Sequence, residues 1–140
     1  KRIVRGGGKI YIVPDTYCTY LARETFKGIA KNNFQNGKWN ILTVYFTKQF
    51  DSLSLRHFVP MMFVVSLILP LLLSVFYLNF IWLAVLSLCL YLCLLFVISC
   101  HLALKKQLSI FFLLYSFCVL HVSYGCGSIA GLWRVLFLIR

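Results

Sequence analysis

The chain has 140 residues, 61% of them hydrophobic, with 14 Lys and Arg against 3 Asp and Glu and a net charge of +11. No pair of neighbouring carboxylates and no Ser/His/Asp set is present, which excludes the usual forms of general-base chemistry. Ten of the fourteen basic residues and all three acids (Asp15, Glu24 and Asp51) precede Phe58, whereas Phe58 to Tyr124 contains only Lys105 and Lys106.

That asymmetry divides the chain into a polar segment, residues 1–57, and a membrane anchor, residues 58–140. Too few polar residues remain for an independent catalytic core. The chain starts at Lys1, and Lys1–Arg5 has no signal-peptide organisation, so we expect the C-terminal piece of something longer. The basic residues sit beside a membrane entry, which makes anionic lipid headgroups the expected partner and not nucleic acid.

In chain order, Gly6-Gly7-Gly8 reads as a turn. It lacks the Lys-Ser/Thr pair that would make it a phosphate loop. Lys9–Val13 is β-rich and ends at Pro14-Asp15, and Thr16–Ala22 reads as a second strand. From Glu24 to Asn36 the spacing is helical, with Phe26, Ile29, Ala30 and Phe34 on one face, and Gly37 falls where a C-cap belongs. Trp39, Leu42, Tyr45, Phe46 and Phe50 then form an aromatic stripe, the pattern of a second amphipathic helix lying in the headgroup layer.

Three apolar runs follow, with spans expected at about 58–78, 80–104 and 108–131. Pro60 sits near a helix start and Pro70 is expected to kink the first span. Positive charge places the N-terminal segment and the Lys105-Lys106 turn on the cytoplasmic side, with the turn near Asn79 outside. A last helix that bends back near Gly125 is an alternative to a third crossing. Gly127 and Gly131 form a small-xxx-small pair that lets helices approach closely. Cys89, Cys93 and Cys100 share a helical face but lack any carboxylate to orient a metal ligand, so they read as packing residues. His57 reads as an interfacial anchor, and neither His101 nor His121 as catalytic.

Asn32-Asn-Phe-Gln-Asn-Gly-Lys-Trp39 gathers amides, one cation and an indole just above the bilayer. Amides suit hydroxyls, Lys38 suits a phosphate and an indole face suits a pyranose ring. A capped interfacial helix with Trp39 as a headgroup anchor would use the same residues.

The sequence resembles the C-terminal third of bacterial membrane-anchored family 2 glycosyltransferases of the succinoglycan and exopolysaccharide type. The resemblance is carried by Arg2-Ile-Val-Arg-Gly-Gly-Gly-Lys-Ile-Tyr with Pro14, Tyr20-Leu-Ala-Arg23, Asn33-Phe-Gln-Asn-Gly-Lys-Trp39, Ser52-Leu-Ser-Leu-Arg-His-Phe-Val-Pro60 and His121-Val-Ser-Tyr-Gly-Cys-Gly127. It implies a mainly α chain: the end of an α/β glycosyltransferase A-type domain, amphipathic interface helices, and then about three transmembrane helices. It also implies transfer of a sugar from a nucleotide-sugar donor to a lipid-linked or polysaccharide acceptor at the cytoplasmic face of the bacterial inner membrane. Gln35, Lys38 and Trp39 correspond to a Gln-(Gln/Arg)-x-Arg-Trp motif that meets the donor diphosphate and the acceptor. Asn36 and Lys38 depart from it, and Lys38 loses the bidentate fork of Arg. The divalent metal, Mg or Mn, the Asp-x-Asp that holds it and the catalytic base would all lie upstream, so this chain alone should be inactive. A non-enzymatic membrane scaffold or small transporter subunit with a basic face is the other function class these residues allow.

Overall fold

In a computed structural model the chain is described over residues 2–21, 23–48 and 55–137. Helix takes 78% and no strand is present among the described residues, in agreement with the mainly α expectation. The helices are α1 (Arg2–Arg5), α2 (Phe26–Thr47), α3 (Val59–Leu73), α4 (Ile81–Lys106) and α5 (Ile110–Phe137), with single 3-10 turns at Leu55–His57 and Leu78–Phe80. Ala22, Phe50, Asp51, the Ser52-Leu-Ser part of the membrane-entry motif and Arg140 lie outside the described residues.

The two expected strands are absent. Lys9–Leu21 is irregular, turning at Pro14-Asp15, with Ile12 and Tyr17 almost wholly exposed. A β-rich run forms a strand only when another strand satisfies its backbone groups, and none does so among the described residues.

A second difference lies at Gly37. The two amphipathic helices expected on either side of it are one helix, α2. Thr25 caps its start, accepting from the Gly28 amide at 3.1 Å. Lys48 ends it in the left-handed region (φ 54°), where its amide donates to the Val44 carbonyl at 2.8 Å. Gly37 is buried mid-helix because α5 passes directly over it: an added Cβ would run into the Tyr124 carbonyl and Ser128.

Among the described residues α2 and α5 make the most extensive helix contact, and they run parallel. Phe26 packs on Phe112 and Tyr115, Phe34 lies against Gly127, and Ile41 lies against Gly131, so residue numbers rise together on both helices. The apolar face read at Phe26, Ile29, Ala30 and Phe34 is thus the α5-facing side. The small-xxx-small pair is used, and its partner is α2.

α3 and α4 are antiparallel, since Phe63 stacks on Tyr91 and Ser66 meets Ser87. Pro60 stands in the first turn of α3, as expected, and Pro70 within its last. α4 ends in Lys105-Lys106 at the negative end of its dipole and turns through Gln107, φ 53°, into α5. α5 continues unbroken through Gly125–Gly131 to Phe137, so the expected alternative of a bend near Gly125 is not what forms.

Two helical segments, Leu78–Lys106 and Ile110–Phe137, are long and apolar enough to cross a membrane. Only 11% of the apolar window of each is buried, which separates them from the core helix of a water-soluble domain. α3, at 15 residues, is about 22 Å long and short of a ~30 Å hydrocarbon layer. α4 buries Ala84, Leu95, Ser99 and Ala103 and exposes most of its large apolar side chains. Cys89 and Cys93 are among its exposed residues, so the packing role expected of them is not seen; all six cysteines are free thiols.

Candidate functional site

α2 carries polar residues at Asn32, Asn36, Asn40, Thr43 and Thr47, spaced by three or four. On a helix that spacing makes one stripe, and here it runs beside the α5-facing side. Where the 3-10 turn Leu55–His57 comes down on this stripe, a cleft of about 340 Å³ opens. Its walls are Asn36, Trp39, Asn40, Thr43, His57 and, from α5, Tyr124.

One hydrogen bond orders the floor of this cleft. The Asn40 side-chain amide donates to the Tyr124 hydroxyl. Tyr124 keeps its own proton to donate, and the Asn40 carbonyl keeps its lone pairs to accept. A phenol, two amides and a hydroxyl therefore face a space bounded by His57 and by an indole, which is 56% exposed. That set can hydrogen-bond several hydroxyls and stack on one face of a sugar ring.

Of the three residues singled out from sequence, Trp39 lines the cleft and Gln35 and Lys38 do not. Lys38 is two positions from both Asn36 and Asn40, about 200° around the helix. It faces away, and its main chain supports Gly131, whose added Cβ would lie 2.7 Å from the Lys38 carbonyl. Gln35 is exposed one turn before Trp39. Asn36, which counts as a departure from the family motif, is in the cleft wall. Asn40, Thr43 and Tyr124 were missed, although the amide periodicity of α2 is readable as a polar stripe. His57, read as an anchor, is a wall residue.

A second cleft, of about 260 Å³, continues along the stripe toward the start of α2, between Arg23, Asn32, Asn33 and Ser116. Deeper in the helices, the Tyr91 hydroxyl lies 3.0 Å from His121 Nδ1, with Phe63 stacked on Tyr91 and Phe117 on His121. The pair joins α4 to α5. His101 is exposed near the end of α4.

No three His, Cys, Asp or Glu side chains converge as ligands among the described residues. Comparison with protein-family models, with curated proteins and with solved structures gives no match.

Proposed function

We propose that the chain is the membrane-embedded, acceptor-binding end of a family 2-type glycosyltransferase of the bacterial inner membrane. The observation that carries this reading is the cleft at Trp39: an indole beside amides and hydroxyls, set among helices whose outer faces are apolar. Trp39 stacks on the acceptor sugar, while Asn36, Asn40, Thr43 and Tyr124 orient its hydroxyls. Gln35 and Lys38 lie off the cleft, so recognition of the donor diphosphate by them is left to their approach from the exposed side of α2.

Two further features support the reading. The Lys9–Leu21 arm exposes Ile12, Tyr17 and Tyr20, apolar side chains that a glycosyltransferase A-type domain would cover. α4 and α5 supply two crossings, and α3 with the following Ser74–Tyr77 turn is taken as a shorter third membrane element. The start of α2 and Lys105-Lys106 fall at the same end of α5, the cytoplasmic end by charge.

On this reading the chain's residues bind and orient the acceptor and hold it at the membrane. Proton abstraction and donor binding belong to other parts of the enzyme. The test is sugar incorporation from radiolabelled nucleotide sugars by membranes containing the protein encoded by the whole reading frame. Incorporation that disappears with the gene supports the reading, and none from any nucleotide sugar would overturn it.

A further inference from the structure

We infer that the second cleft, at the start of α2, binds the phosphate of an anionic phospholipid from the leaflet on that side. The inference rests on α5 crossing the bilayer and is independent of sugar transfer.

Three parts of the chain converge on this cleft of about 260 Å³. Tyr20 comes from the arm and Arg23 from just beyond it, Asn32 and Asn33 from α2, and Ser116 and Leu120 from α5. Among the described residues Arg23 is the one charged wall, and no carboxylate stands beside it. Its stem is seated on the first turn of α2, where an added Cβ at Gly28 would lie 3.6 Å from Arg23 Cβ and 3.9 Å from its Cδ. Glu24, the neighbouring acid, is exposed and is not a wall.

Donors outnumber acceptors here. Asn33 spends one N–H on the Ile29 carbonyl at 3.0 Å, and Ser116 donates to the Phe112 carbonyl at 2.6 Å. The Arg23 guanidinium, the Asn32 side-chain amide and the Tyr20 hydroxyl have no hydrogen-bond or ion-pair partner among the described residues. A fixed cation with two further donors fits an anion that carries several oxygens. The guanidinium fork alone would use both oxygens of a carboxylate. A phosphate fills the fork and keeps oxygens for Asn32 and Tyr20.

Position selects a lipid as the source. Ser116 is the seventh residue of α5, about 9 Å from the helix start. The headgroup layer on each side of a bilayer is roughly 5–8 Å deep, so the cleft lies near its inner boundary. Lys105-Lys106 precede this end of α5, and Lys27 and Lys31 add positive charge on the exposed side of α2. Apolar surface adjoins the charge. Phe112, one turn before Ser116, is 65% exposed, and Leu21, next to Tyr20, is 85% exposed. Acyl chains would cover both, and a soluble phosphate would cover neither.

The test titrates the full-length protein in detergent with dioleoyl phosphatidylglycerol and counts bound lipid by native mass spectrometry. Arg23→Gln should weaken binding about tenfold, and the uncharged exchange Asn32→Leu about threefold. Lys27→Gln removes the same charge from outside the cleft and should change binding by less than about twofold. Asn32→Leu carries the test if Arg23→Gln lowers the melting temperature. Equal losses for Arg23→Gln and Lys27→Gln would mean a diffuse positive field and would overturn the site. Dioleoylglycerol has the chains without the phosphate, and competition from it equal to that of phosphatidylglycerol would also overturn the site. Inorganic phosphate at the same concentration should leave the lipid bound. Displacement by it would assign the cleft to a soluble phosphate and overturn the lipid.

Discussion

Gly127 of α5 lies directly against the main-chain carbonyl of Phe34 on α2. One turn later Gly131 lies against the carbonyl of Lys38, and from the other helix Gly37 meets Tyr124 and Ser128. Three glycines at one crossing let two helices run side by side with their backbones in contact, and that contact holds the cleft walls together.

Gly127→Ala should destabilise the chain by about 1–3 kcal/mol, because the new methyl meets backbone that has no rotamer to yield. Gly131→Ala should cost less, since its nearest neighbours are the Lys38 carbonyl at 2.7 Å and the Ile41 side chain at 3.1 Å. Thermal unfolding in detergent gives the order. Equal melting temperatures for wild type and Gly127→Ala would mean the helices are not in contact there.

Replacing Tyr124 by Phe leaves the Asn40 amide without its acceptor. A double-mutant cycle with Asn40→Leu should return a coupling of roughly 0.5–1.5 kcal/mol, as for hydrogen bonds between packed helices. A coupling near zero would place the two side chains apart.

The apolar runs were legible in the sequence as helices, the irregular Lys9–Leu21 arm was not, and the polar stretch ending at Trp39 was legible in part. Runs of uncharged residues became helices because nothing in them competes, and Lys105-Lys106 with Gln107 marked the end of α4 as expected. Gly37 misled, because a glycine that ends a helix and one that admits a neighbour look alike until the neighbour is known. The strand expectation at Lys9–Val13 failed for the same kind of reason: β propensity describes a surface to be paired, and the pairing is not local. Within the site, Trp39 was legible as an indole among amides. Tyr124, 85 positions away from it, entered only through the α2–α5 contact.

If α4 crosses the bilayer, Leu94→Arg puts a guanidinium near mid-span on an exposed face and should cost about 2.5–3.5 kcal/mol of insertion. Leu104→Arg, beside Lys105 at the helix end, should cost little because the side chain reaches the interface. Retention after alkaline carbonate extraction measures both. Equal retention of the two variants would indicate that Leu94 faces water.

Gln107 holds a left-handed conformation, φ 53°, that a side chain disfavours. Gln107→Gly should raise stability by roughly 0.5–1 kcal/mol, provided the turn between α4 and α5 is as tight as described. A fall in melting temperature would contradict that geometry.

The most direct measurement compares Trp39→Ala with Trp133→Ala in the full-length protein, scoring sugar transfer and membrane retention separately. Both indoles are well exposed, but only Trp39 lines the cleft. Loss of a stacking platform worth about 1–3 kcal/mol should lower transfer by Trp39→Ala about tenfold or more with retention unchanged, and Trp133→Ala should leave transfer near wild type. Equal losses of transfer in the two variants, or a loss at Trp39 matched by loss from the membrane, would make Trp39 an anchor and remove the cleft as a sugar site.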